Sequence, residues 1–310
     1  MKILITGGDG FIGSHLAEIL ESKGHELVLL DVKFSNNTEG LVSQKVLGDI
    51  QDLETFSRVG ERFNLIIHTA ALSRVERGEE RSEECLKINV IGSLNLLKFA
   101  NNLKPKPHVL FTSSREVYGD PLELPVKEDH PRKPISVYGV SKLAAEELFA
   151  YFARKGGLKY TLMRFSNVYG SPRDLPERVI PKFMKSALED KPITVFGGEQ
   201  ILDFTFIDDV LRGVIRVVEK IENGDESVTN EVFNIASGRG TSVMELANLM
   251  INVCNSSSKI EVKPARSFDV RRFIADCSKA KKILGYRPRY SLLQGLKDYK
   301  KRLLSQRTVI

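Results

Sequence analysis

A chain of 310 residues with 42% apolar and 28% charged side chains has the material for one large domain or two smaller ones with real cores. Its 46 basic and 40 acidic residues leave a net charge of +6 with no block of five like charges. Nucleic acid is therefore not an expected partner, while a phosphorylated small molecule suits the balance. Three cysteines (Cys85, Cys254 and Cys277) lack the spacing of a disulfide framework or zinc site, and the histidines show no H-E-x-x-H pattern, so no metal is expected. The apolar run Ile3–Ile5 is too short for a leader, and no stretch approaches the ~20 residues of a membrane span. The expectation is a cytoplasmic protein that does not enter a membrane.

Taken in order, Lys2–Thr6, Glu26–Asp31, Asn64–His68, His108–Ser113 and Lys159–Arg164 are short runs rich in Leu, Ile, Val and Phe, and predict buried strands. Ile12–Ser22, Ser82–Asn102 and Val137–Arg154 carry helical spacing between them. Alternation of this kind implies parallel pairing, right-handed crossovers and an α/β fold with a doubly wound, Rossmann-like sheet. After Gly170 the texture changes. An irregular stretch holding Pro176 and Pro181 leads to strand-like pieces at Ile193–Phe196 and Phe204–Ile207. A helix follows at Asp208–Glu219, then a strand at Glu231–Ile235 and a helix at Ser242–Val253, where Ser242 and Glu245 match a capping box. The basic run Lys297, Lys300, Lys301 and Arg302 reads as the solvated face of a terminal helix. The expected division is 1–170, with segments near 204–237 returning to it, and a smaller substrate-binding lobe at 171–310.

The first strand runs into a glycine cluster in which Gly8, Gly10 and Gly13 satisfy G-x-G-x-x-G, and Gly7, Gly10 and Gly13 satisfy G-x-x-G-x-x-G. Such a turn lets the backbone approach a pyrophosphate, whose charge meets the amides of the following helix. A strand before it and a helix after it are the context the motif requires. Asp31 ends the second strand. A carboxylate there accepts the ribose hydroxyls of an adenosine and repels a 2′-phosphate, which favours NAD over NADP.

Two Tyr-x-x-x-Lys pairs occur, Tyr138/Lys142 and Tyr151/Lys155. Spacing of four places both groups on one helix face, where the ammonium stabilises a phenolate; without it a tyrosine of pKa ~10 is a poor base. The two tyrosines stand about 20 Å apart along one helix. Tyr138 lies at its start, on the carboxyl edge of the sheet where ligands bind, and Lys155 at the opposite edge. Tyr138 and Lys142 are the candidates. The strand before this helix ends in Ser113-Ser114, so one of these serines emerges at the same edge as a hydrogen-bond donor.

The segments TGGDGFIGSHL, HTAA (His68–Ala71), SSREVYG, YGVSK (Tyr138–Lys142) and RFSNVYG (Arg164–Gly170), with the later NEVFNIASGRGTSV and DVRRFIAD, resemble the extended short-chain dehydrogenase/reductase superfamily. Within it they are most similar to the NAD-dependent nucleotide-sugar epimerase/dehydratase family, typified by UDP-glucose 4-epimerase. The resemblance spans nearly the whole chain. It implies Ser114 as the catalytic serine, Tyr138 as base and Lys142 as its partner. Around NAD it implies Gly7, Gly10, Gly13, Phe11 and Ile12 at the pyrophosphate, Asp31 at the ribose and Asp49-Ile50 beside adenine. Ala70, Ala71 and Asn89 complete that implied cofactor site. Asn167, Arg266 and Asp269 are implied to hold the nucleotide-sugar substrate, with Ser114. The implied reaction oxidises the sugar at C4 and reduces it again on the other face. A homodimer through helices near 82–102 and 137–154 is also implied.

Three departures bear on the substrate. Leu202 stands where the family usually carries an arginine that grips the diphosphate, and Phe268 replaces the glycine common before Asp269. At Arg115-Glu116 dehydratases usually place Asp-Glu and related UDP-glucuronate decarboxylases Ser-Glu. The simplest expectation is therefore a 4-epimerase of the UDP-glucose/UDP-galactose type. A nucleotide-sugar lyase (decarboxylase or 4,6-dehydratase) is the alternative if Glu116 acts, and on the first reading Glu116 is an exposed loop carboxylate.

Overall fold

A computed structural model describes residues 1–307. They form two compact units, one from Met1–Gly119, Pro131–Phe165 and Val214–Phe233, the other from Asp120–His130, Ser166–Gly213 and Asn234 onward.

The first unit is built on strands β1 (Lys2–Thr6), β2 (Glu26–Asp31), β3 (Gln44–Leu47), β4 (Leu65–His68), β5 (His108–Ser114) and β6 (Tyr160–Phe165), with helix α1 (Phe11–Ser22) between β1 and β2. The sheet order is β3-β2-β1-β4-β5-β6, and a later strand, Glu231–Ile235, completes seven. Pairing from β3 to β6 is parallel throughout. The chain travels outward from β1 to β3 and then crosses back to β4, so the direction of winding reverses between β1 and β4. That reversal opens a crevice at the carboxyl ends of the strands, where such sheets bind ligands. Ile3, Leu4 and Ile5 of β1 and Leu65, Ile66 and Ile67 of β4 are wholly buried, as expected of strands covered on both faces. Phe111 of β5 stacks on Phe149, ring centroids 4.7 Å apart, in the core beneath that crevice.

Between β4 and β5 the expected single helix at 82–102 is divided. Helices α2 (Val75–Glu80), α3 (Ser82–Leu86) and α4 (Gly92–Asn102) flank a π-helical turn at Lys87–Ile91. The turn takes Asn89 out of α-helical register into a buried position, a displacement common at functional sites. Helix α5 (Val137–Gly156) follows β5; Ser136 caps it by accepting the Gly139 amide at 3.1 Å. Strand β3 has no apolar run to announce it, because only Val46 of its four residues is buried.

In the second unit, β7 (Asn167–Tyr169) pairs in parallel with a strand at Ile201–Phe206, which pairs antiparallel with one at Gly240–Ser242. A separate pair joins Ile193–Phe196 to Ile260–Lys263. The stretch read as irregular contains helix α6 (Val179–Leu188), in which Pro181 sits in the first turn, where no amide is required. The expected strand at Phe204–Ile207 starts three residues earlier, because Asp203 is a buried core residue despite its charge. Its carboxylate accepts the Ser237 amide and hydroxyl at 2.9 and 2.6 Å, the Gly238 amide at 2.9 Å and the Ala275 amide at 3.3 Å. Burial raises its pKa while these donors oppose the rise. The helix at Val243–Cys254 is capped by Ser242, which accepts the Glu245 amide at 3.0 Å. On the terminal helix (Leu292–Arg307) the basic run is only partly a solvated face. Lys300 donates to the Val253 carbonyl and Arg302 pairs with Asp208 at 2.7 Å. Among the described residues no helix is long and apolar enough to cross a membrane.

Replacing Asp203 by alanine removes four hydrogen bonds at once, each worth about 0.5–1.5 kcal/mol or more to a charged acceptor, and orphans the buried Ala275 amide. Urea denaturation of Asp203→Ala is expected to show a loss of about 3 kcal/mol or more; a change under about 0.5 kcal/mol would remove Asp203 as the organiser of this unit.

Candidate active site

The turn after β1 is built for close approach. Gly7 has φ 71°, and its amide donates to the Leu30 carbonyl at 2.8 Å. A Cβ on Gly7 would lie 2.7 Å from the Ala70 amide nitrogen, and one on Gly13 would lie 2.0 Å from the Gly7 carbonyl oxygen. Both ends of the reversal in the sheet, the β1 turn and the β4 turn, thus meet with no room for side chains. Gly10 caps α1 without a side-chain hydrogen bond, and the first turn, with Phe11 and Ile12, holds no acidic residue. Its amides are thus not taken up by an acidic side chain of the first turn, which suits the binding of an anion. This cradle fits the pyrophosphate of a dinucleotide.

Beside it, Asp31 accepts the Asp9 amide at 3.0 Å and the Lys33 amide at 3.4 Å; burial raises its pKa, against those two amides. Asp49 turns inward onto Gln51, accepting its amide and side chain at 2.9 Å each. Ile50 is buried, and its carbonyl accepts from Asn95 at 3.1 Å. Ala71 follows Ala70 in the turn after β4, half-buried. Asn89 is spent internally. Its Oδ1 accepts the Leu72 amide at 2.8 Å, and its Nδ2 donates to the Leu72 carbonyl at 3.2 Å and to Ser141 Oγ at 2.8 Å. Asn89 therefore ties the turn after β4 to α5, so its effect on a bound cofactor runs through the position of residues 69–72.

Sequence reasoning overlooked His68, buried beneath this turn. Ser93 Oγ donates to the Asn89 carbonyl at 2.6 Å, so it accepts from His68 Nε2–H at 3.0 Å, which leaves Nδ1 to accept from Thr6 Oγ1 at 2.7 Å. Burial, then the charge of Lys142, pushes the His68 pKa down to about 3. It is a neutral brace between β1, β4 and α4.

The two serines of β5 separate by strand alternation. Ser113 donates to Glu146 Oε1 at 2.6 Å inside the core. Ser114 Oγ, on the other face, accepts the Glu116 amide at 3.2 Å, which leaves its own proton to donate. Gly139 brings α5 against this strand end: a Cβ there would lie 2.6 Å from the Glu116 carbonyl oxygen. Tyr138, in the first turn of α5, is thereby held beside the Ser114 turn, while Tyr151 is half exposed on the same helix. Lys142 is buried, with its ammonium 4.1 Å from the centroid of Phe111. No hydrogen-bond acceptor among the described residues pairs with it. Burial lowers its pKa to about 7, with Glu146 and Cys85 opposing the fall.

Beneath these groups Arg164 grips Glu146 through two parallel hydrogen bonds of 2.9 and 2.7 Å and donates to Tyr118 Oη at 2.8 Å. Arg132 adds a longer contact of 3.4 Å. Glu116 is not an exposed loop carboxylate: it is buried and paired with Arg115 at 2.8 Å. The short 3₁₀ turn at Arg115–Tyr118 folds both side chains inward.

In the second unit, Asn167 donates to the Asp203 carbonyl at 3.0 Å. Arg266 and Asp269 form a bidentate pair of 3.0 and 2.8 Å. Phe196 and Phe268 lie 5.3 and 5.1 Å from the Arg266 guanidinium. Phe268 thus flanks a cation, which the sequence alone did not reveal.

A doubly wound sheet with a tight glycine-rich turn at its switch point and a buried Tyr-x-x-x-Lys lysine at its carboxyl edge defines a dinucleotide-dependent enzyme. The sequence pattern of the NAD dependent epimerase/dehydratase family matches residues 3–236, and the chain belongs to that family. NAD is its cofactor. The chain is similar to a Thermotoga maritima UDP-glucose 4-epimerase solved with UDP-glucose, at 34% identity over 100% of both chains with a TM-score of 0.88. A Bacillus cereus UDP-glucuronic acid 4-epimerase solved with UDP-glucuronic acid and NAD is 28% identical over 99% of this chain and 100% of that one, with a TM-score of 0.89. UDP-glucuronic acid decarboxylase 1 of Arabidopsis thaliana is 30% identical over 99% of this chain and 71% of its own.

A buried ammonium costs stability that an apolar side chain would not. Lys142→Met is expected to raise the melting temperature most below pH 7. Because the folded pKa is depressed, the wild type regains stability as pH rises from about 7 towards the unfolded value, so the gain should shrink over that range. A pH-independent difference, or a loss at pH 6, would show that Lys142 is not carried as a charged buried group.

Proposed function

We propose that the protein is a nucleotide-sugar 4-epimerase of the UDP-glucose/UDP-galactose type. What carries this reading is the close approach of the first turn of α5, which bears Tyr138 and leads to the buried Lys142, to the Ser114 turn, with Arg115 and Glu116 paired beside it.

Bound NAD, held by the Gly7–Gly13 turn, Phe11 and Ile12, by Asp31 at the ribose and by residues 49–50 and 70–71, supplies reversible two-electron oxidation at C4. Tyr138 removes and returns the proton of the sugar 4-hydroxyl. The Lys142 ammonium, with no competing acceptor, lowers the cost of the Tyr138 phenolate. Ser114 donates its proton to the same sugar oxygen while its Oγ accepts the Glu116 amide, which fixes the position of the hydroxyl. Arg266, oriented by Asp269 and flanked by two rings, binds the diphosphate, with Asn167 nearby in the nucleotide site. Leu202 offers no second guanidinium, so Arg266 carries more of that charge than is usual in the family.

A lyase is the second reading, favoured by Glu116 and by the likeness to a UDP-glucuronic acid decarboxylase. The Arg115–Glu116 ion pair weighs against it, since a carboxylate tied to arginine is a weak proton acceptor.

Incubated without added NAD, the purified protein is expected to convert UDP-glucose, UDP-galactose or a sister nucleotide sugar to its C4 epimer. Tyr138→Phe should lower that rate by roughly 10²–10⁴-fold. Release of carbon dioxide from UDP-glucuronate, or accumulation of a 4-keto-6-deoxy sugar, would replace this reading with the lyase. Leu86, Ile91, Val140 and Tyr151 leave an apolar face exposed on α3–α5 and the turn between them. This face supports a homodimer, expected as a dimer mass in sedimentation equilibrium that Val140→Glu reduces to a monomer. A wild-type monomer at micromolar concentration would remove the proposal.

A further inference from the structure

Between Gly7 and Gly10 the phosphate-binding turn carries one charged residue, Asp9, and its side chain is almost wholly buried (4% exposed). The carboxylate turns onto the loop that follows β2. Oδ2 accepts the Ser35 amide at 2.9 Å and the Ser35 hydroxyl at 2.7 Å, and Oδ1 accepts the Thr38 hydroxyl at 2.9 Å. The Asp9 carbonyl accepts from Asn37 Nδ2 at 2.9 Å, and the Asp9 amide donates to Asp31. Five hydrogen bonds thus fasten the phosphate turn to the β2 end and its loop through a single residue. A turn that needed only flexibility would carry a small neutral side chain here.

The cost of this arrangement is two carboxylates side by side, and the Asp9 charge is among the causes that raise the Asp31 pKa. The cations near them are few. Lys33 contributes its amide to Asp31 while its side chain is exposed. Lys45 spends its ammonium on the Thr38 carbonyl at 2.7 Å. Val32–Thr38 contains no arginine, the residue that accommodates a 2′-phosphate where NADP is used. A phosphate at that position would therefore meet two negative charges beside a loop tied down at Ser35, Asn37 and Thr38.

We infer that Asp9 is a second determinant of cofactor specificity: it straps the Ser35–Thr38 loop to the phosphate turn and adds a second negative charge near Asp31, so that the site takes NAD and rejects NADP. The inference rests on reading Asp31 as the ribose acceptor, and the experiment separates the two. NAD and NADP binding to the full-length, nucleotide-free protein is measured by isothermal titration calorimetry for the wild type, Asp9→Asn, Asp9→Ala and Asp31→Asn, with folding checked by melting temperature. Asparagine keeps the size and part of the strap while removing the charge. Asp9→Asn is expected to narrow the NAD/NADP affinity ratio by about tenfold or more, the ratio cancelling any loss common to both nucleotides. Asp9→Ala, which also releases the loop, should narrow the ratio and weaken NAD as well. If Asp31→Asn narrows the ratio and Asp9→Asn leaves it within about twofold of wild type, the role of Asp9 is overturned and the ribose reading stands. If neither variant moves the ratio, the reading of Asp31 fails too.

Discussion

Arg164 and Glu146 meet inside the first unit through a fork of two hydrogen bonds, and the seating of α5 against β5 and β6 depends on that contact. Arg164 comes from β6, Glu146 from α5 one turn beyond Lys142, and Ser113, which completes the carboxylate's shell, from β5 one residue before Ser114. One buried ion pair therefore sets the register of the two elements that carry the reactive groups. Burying such a pair seldom adds stability over apolar residues. What it adds here is position: β5, β6 and α5 cannot slide past one another without orphaning a charge in the core.

The same logic explains why the cofactor end is built from absences and the catalytic end from buried charge. At the β1 turn, side chains are excluded so that backbone amides reach an anion. On α5 a lysine is kept buried, its ammonium over the face of Phe111, where a low dielectric strengthens its action on any charge that forms beside it. Neutral His68 and fully satisfied Asn89 hold the floor between these two regions without adding charge to it.

Much of this was legible in the sequence. Strands β1, β2, β4, β5 and β6 and the glycine turn follow from apolar runs and spacing, and Asp31 and Tyr138, proposed from the same patterns, fall at the end of β2 and in the first turn of α5. The π turn at Asn89 was not, since helical periodicity persists through a one-residue shift. Nor were β3 and the strand at Ile260–Lys263, short exposed strands in which half of the residues are polar or charged. Glu116 and Asp203 were missed for a common reason: a carboxylate in a sequence reads as surface, and only tertiary donors turn it into a core residue. Asp9 hid inside a motif whose glycines attract the attention. The role of Phe268 required knowing that Arg266 stands beside it.

The central claim is that Tyr138, Lys142 and Ser114 serve a reversible oxidation at C4 and nowhere else on the sugar. The most direct test follows deuterium placed at C4 of UDP-glucose through the reaction in ordinary water, by mass spectrometry and proton NMR of the product. The account predicts a C4 epimer that keeps the label at C4 without exchange. Loss of the label to solvent, or a product altered at C5 or C6 with C4 configuration unchanged, would contradict it.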